Sequence, residues 1–130
     1  MQDDKLMAPN LLENTQTDQA VSAVFDREGL LRRLMGDEEM VFSIMDMFLK
    51  TAAERISELN TRFEKNDMPA IWNEAHAIKG SALNAGFSAI AEVGVRLEQA
   101  AKEQDVAHIS NLLIELERQY NLAQRFHRQQ

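Results

Sequence analysis

The stretch from Asp67 to Ala100, DMPAIWNEAHAIKGSALNAGFSAIAEVGVRLEQA, decides the fold. Asp67 is suited to cap a helix, and Pro69 suits a first helical turn, where its missing N–H costs nothing. From there Ile71, Ala75, Ile78, Ala82 and Ala85 recur every three or four residues and form one buried stripe. Trp72, His76, Lys79, Gly80 and Leu83 fall on the adjacent, more exposed face. Asn84-Ala85-Gly86 ends this helix, and a second one from about Ser88 to Gln104 offers Ile90, Val93, Leu97 and Ala100 to the core. A connection this short makes the two helices antiparallel neighbours, a helical hairpin.

Working outward, the same periodicity continues on both sides. Upstream, Val41, Ile44, Met45, Phe48, Ala52, Ile56, Leu59 and Phe63 mark a long core helix from Asp37 to about Lys65, and a short helix spans Asp26 to Met35 with Asp26 as cap and Gly36 as stop. Downstream, Asp105 caps a helix whose core positions are Val106, Ile109, Leu112, Leu113, Leu116, Tyr120 and Ala123. No stretch alternates apolar with polar long enough to suggest a strand. The expected fold class is all-α: an antiparallel up-and-down four-helix bundle with a short additional N-terminal helix. The methionines at 35, 40, 45 and 47 read as core fillers, and His108 and His127 as surface residues. Residues 1–20 lack a sustained apolar period and read as a flexible tail or linker, although Leu6, Met7, Leu11 and Leu12 are able to dock; the domain proper is 21–130.

Composition narrows the function. At 130 residues the chain fits one domain, too short to add a nucleotide-binding unit, so any ATP-using kinase chemistry lies elsewhere. The formal charge of −7 argues against nucleic acid or an anionic membrane surface as partner, and the absence of cysteine removes disulfides and thiolate metal sites. No apolar run approaches the roughly 20 residues that span a bilayer, and the N-terminus lacks a signal-peptide core, so a cytoplasmic location is expected.

The chemistry concentrates at His76. Residues three and four apart on a helix are neighbours, so His76, Lys79 and Gly80 put an imidazole, an ammonium and a missing side chain on one patch. The imidazole is a nucleophile at neutral pH, the lysine is a compact charge suited to phosphate oxygens, and the glycine leaves room for a reacting partner. Each also has a plain reading: a helical histidine without a task, a solvated lysine, a glycine at a close helix crossing. Metal chemistry of the carboxylate-bridged kind needs Glu-x-x-His pairs on two helices, and Glu74-Ala75-His76 has the wrong spacing.

The run His76-Ala77-Ile78-Lys79-Gly80, with Gly86 ten residues after the histidine, resembles the signature of the histidine-containing phosphotransfer (HPt) domain of multistep phosphorelays. The likeness extends to Asp26–Leu31 and Gly36–Glu39 upstream and Arg96–Ala100 downstream, spanning roughly residues 21–127. It implies a phosphocarrier rather than an enzyme, with His76 taking a phosphoryl group from a receiver-domain aspartate and giving it reversibly to another. The implied partners are response-regulator receiver domains and a hybrid sensor histidine kinase in cis or in trans, with the domain monomeric. It implies no cofactor of its own, Mg²⁺ being supplied at the receiver site. It also puts the polar side chains Glu98 and Lys102 beside the imidazole, while Trp72, Leu83, Ala91 and Gly94 frame a docking rim. Leu83 departs from the small residue usual at its place. The rival reading is a noncatalytic helical adaptor that binds a signalling partner through the Trp72/His76 face.

Overall fold

A computed structural model of the chain describes residues 24–129, which contain five helices and no strand. They are α1 (Arg27–Arg33), α2 (Glu38–Glu64), α3 (Met68–Ala85), α4 (Ser88–Lys102) and α5 (Val106–Arg128). The expectation for residues 1–20 lies outside the described residues.

Four of the five helix starts use the same device. Asp26, Asp37, Asp67 and Asp105 each accept a hydrogen bond from the backbone N–H three residues on, at Gly29, Met40, Ala70 and His108. Each cap satisfies an otherwise orphaned donor, worth about 1 kcal/mol. The first cap also explains its glycine: a Cβ on Gly29 would lie 2.3 Å from Asp26 Oδ2.

The ends of α1 to α4 are set by left-handed residues, and two of these ends fall earlier than the sequence suggests. Met35 takes φ 58° and Gln104 takes φ 56°, positions more often given to glycine or asparagine. The chain reverses there, with Gly36 N–H donating to Leu31 O and Asp105 N–H donating to Ala100 O, so α1 stops at Arg33 rather than Met35 and α4 at Lys102 rather than Gln104. Gly86, at φ 84°, ends α3 as expected.

Short connections make successive helices antiparallel, and α5 returns to pack on α2, closing an up-and-down four-helix bundle with α1 against α2. Ile71, Ala75, Ile78, Ala82 and Ala85 are all buried, as are Ile90, Val93, Leu97 and Ala100, so the hairpin faces read from the sequence are the core faces. At one end Phe25, Phe87, Phe48 and Phe126 pack ring against ring, and Asp26 N–H donates to Gly86 O at 2.7 Å, fastening the segment before α1 to the α3–α4 turn.

Several side chains sit elsewhere than expected. Of the four methionines only Met45 is core; Met35, Met40 and Met47 are exposed. Leu49 is buried, widening the α2 stripe, whereas Ile44 and Phe63 are only partly covered. Val106, at the first position of α5, is exposed, and Tyr120 is half-buried with its hydroxyl donating to Leu49 O. His127 is not a surface residue: it is buried against Phe42, with Nε2 3.3 Å from Asp46 Oδ1.

Candidate functional site

The site is built across the α3–α4 hairpin. Gly94 makes the crossing close, since a Cβ there would stand 3.0 Å from Lys79 Cβ and 3.2 Å from the Ala75 carbonyl oxygen. One turn further along α4, this close approach brings Glu98 within reach of two side chains of α3. His76 Nδ1 lies 2.6 Å from Glu98 Oε2, and Lys79 Nζ donates to Glu98 Oε1 at 3.1 Å. A carboxylate can only accept, so the proton at the first contact belongs to Nδ1. That choice of tautomer leaves the Nε2 lone pair unengaged.

Burial and charge act against each other at Glu98. Its side chain is 14% exposed, and removal from water by itself pushes the carboxyl pKa up; the hydrogen bonds from His76 and Lys79 outweigh this and hold it below the ordinary value. The carboxylate is thereby kept ionised between an imidazole and an ammonium, oriented by both. His76 itself is accessible, with 57% of its side chain exposed, and its ring lies parallel to the indole of Trp72 at a centroid separation of 4.9 Å.

Gly80 has open space around it: a Cβ would meet nothing within 4 Å. Close helix packing therefore does not explain a residue that costs a helix about 1 kcal/mol relative to alanine. Leu83, two turns past His76 on the same face, is exposed and extends the accessible surface.

The remaining assignments need correcting. Ala91 and Gly94 cannot form a docking rim, because both are buried in the packing of α4. Lys102 lies one turn beyond Glu98, exposed, and makes no hydrogen bond or ion pair among the described residues; the ammonium that shares Glu98 with the imidazole is that of Lys79. Trp72 is partly buried against the core, and its ring stacks on His76, a contact that the sequence reading does not include. The spacing of four residues between them is the signal that carries it.

Comparison with known proteins gives one family. The model of the Hpt domain matches residues 43–125, which contain the whole of the site. Among curated proteins, the phosphorelay intermediate protein rdeA of Dictyostelium discoideum is 26% identical over 95 residues; the match takes in 73% of this chain and 37% of that protein, so the chain spans little more than a third of its relative's length. Among solved structures, histidine-containing phosphotransfer protein B of Pseudomonas aeruginosa superposes with a TM-score of 0.75 at 23% identity, covering 82% of this chain and 92% of the other. A putative histidine-containing phosphotransfer protein from rice superposes with a TM-score of 0.61 at 15% identity, covering 93% and 94%. The structural likenesses speak for the bundle, and the family model for the motif on it: the chain belongs to the Hpt domain family.

Proposed function

We propose that the chain is a phosphorelay intermediate in which His76 accepts a phosphoryl group from a receiver-domain aspartate and passes it to the aspartate of another receiver. The observation that carries this reading is the His76–Glu98 contact at 2.6 Å on an accessible ring: Nδ1 is engaged, and Nε2 is left as the nucleophile. In the forward step the Nε2 lone pair attacks phosphorus, the aspartyl P–O bond breaks and the carboxylate leaves. The Nδ1 proton stays in place, held toward Glu98. Because no proton has to move, the same path is open in reverse.

Lys79 lies beside this path, and its ammonium offsets the charge of the phosphoryl oxygens. Gly80 leaves open the space that a receiver needs in order to close over the ring. The receiver contributes Mg²⁺ and most catalytic groups, so the domain acts as a phosphocarrier that supplies a positioned nucleophile. No helix among the described residues is long and apolar enough to cross a membrane. The test is to incubate the chain with a labelled, phosphorylated receiver. Label should move to the chain, be lost in acid and persist in alkali, as a phosphorus–nitrogen bond does. Binding without transfer would instead support an adaptor.

A further inference from the structure

Glu98 holds the His76 ring at one edge, by one hydrogen bond. A single contact does not fix a ring whose terminal torsion is broad. The missing constraint is a flat surface against the ring, and Trp72 supplies it. The two planes are 8° apart with centroids at 4.9 Å, an offset parallel stack of the kind aromatic pairs prefer. The indole is itself held, since Trp72 packs against the hydrophobic core while offering a face to the imidazole. The i, i+4 spacing on α3 makes this meeting a property of the helix.

We propose that Trp72 is a positioning residue for phosphoryl transfer: its stack holds the His76 plane so that Nδ1 stays on Glu98 and Nε2 stays aimed at the incoming phosphorus. The inference rests on His76 being the phosphoacceptor. It assigns Trp72 a role within the chain's own nucleophile, where the sequence had suggested partner docking. A second effect follows from the charge of the product. A ring phosphorylated at Nε2 that keeps its Nδ1 proton is cationic, and the negative face of the indole favours a cation. The stack therefore supports the phosphorylated ring as well as the geometry of attack.

Positioning and docking separate with a donor too small to dock. With phosphoramidate, the Nε2 lone pair attacks phosphorus, the donor's P–N bond breaks and its nitrogen leaves as ammonia with the protons it already carries. Trp72→Leu keeps apolar bulk but removes the stack, and Trp72→Phe restores an aromatic face. Labelling by phosphoramidate should slow about three- to tenfold in Trp72→Leu and recover in Trp72→Phe, with transfer from a phosphorylated receiver slowed by a similar factor. Nitrogen chemical shifts of the His76 ring should show the Nδ1–H form dominant in the native chain and a mixture of tautomers in Trp72→Leu. If only receiver-dependent transfer slows, Trp72 is a docking contact and the proposal is overturned; unchanged rates with both donors overturn it too. Should no donor label even the native chain, the phosphoacceptor reading fails. The tautomer measurement then still decides positioning, because an unaltered ring in Trp72→Leu overturns it.

Discussion

His76 and His127 are assembled from the same three parts. Each has an imidazole, a carboxylate from a neighbouring helix and an aromatic ring alongside: Glu98 and Trp72 for the first, Asp46 and Phe42 for the second. They differ at the second ring nitrogen. The His76 side chain is 57% exposed and its other nitrogen is unengaged, next to Lys79 and to the open space over Gly80. The His127 side chain is 10% exposed, and its Nδ1 is buried with no hydrogen-bond partner among the described residues. An imidazole oriented by a carboxylate is thus not by itself a nucleophile. Under the proposed function, access to the remaining nitrogen and a lysine on the same carboxylate distinguish His76 from His127, which ties α5 to α2.

The sharpest way to break this contrast is to remove each ring in turn. His76→Gln should abolish labelling while leaving stability nearly unchanged, since an exposed helical side chain contributes little to the core. His127→Gln should have the opposite signature: labelling retained, and urea unfolding at lower denaturant by an amount equivalent to about 1 kcal/mol, the worth of one hydrogen bond and its packing. Label surviving in His76→Gln, or lost in a folded His127→Gln, would mean that the accessible ring is not the chemical one.

Two glycines divide along the same line. Gly80 borders open space, so Gly80→Ala should be neutral or stabilising by up to about 1 kcal/mol, while Gly80→Gln should stay folded and block transfer from a receiver. Gly94 sits where the helices touch, and a methyl group there would press on Lys79 Cβ and the Ala75 carbonyl oxygen. Gly94→Ala should therefore cost stability, about 1–3 kcal/mol as overpacking does, and slow transfer by moving Glu98 from His76. A stable Gly94→Ala with native transfer would show that the hairpin can relax without losing the site.

How much of this was legible varied with the range of the interaction. The core faces of α3 and α4 follow from spacing within each helix, and the placement of His76, Lys79 and Gly80 on one face follows from the same local geometry. The ends of α1 and α4 were harder, because Met35 and Gln104 give no chemical sign that they take left-handed angles. Contacts between helices were least readable. His127 is covered by Phe42 and Asp46, the latter 81 residues away, and nothing near His127 in the chain announces them. Gly94 was misplaced for the same reason. Its partners Ala75 and Lys79 belong to the facing helix, so a glycine that lets backbones approach looks in one dimension like a glycine that leaves a surface bare.

The smallest expected difference lies between the two carboxylates and is read through pH and salt. Glu98 and Asp46 are both held below their ordinary pKa values, Glu98 against the opposing effect of burial by His76 and Lys79, Asp46 chiefly by the Lys50 hydrogen bond and then by His127. A carboxylate with a depressed pKa in the folded state contributes stability that is present above its unfolded value and lost as pH falls through the folded one. Comparing the native chain with Glu98→Gln should give a stability gap on the order of 1 kcal/mol at neutral pH that closes as pH drops below the ordinary value of 4.5, and the gap for Asp46→Asn should close below 3.8. Salt should tell the two apart. Asp46 and Lys50 are 44% and 79% exposed, whereas Glu98 and Lys79 are 14% and 24% exposed, so raising the ionic strength to about 1 M should screen the Asp46 gap far more than the Glu98 gap. Equal salt sensitivity would mean that water reaches Glu98 as freely as Asp46, and the carboxylate that orients His76 would then lack the partial shelter the hairpin gives it.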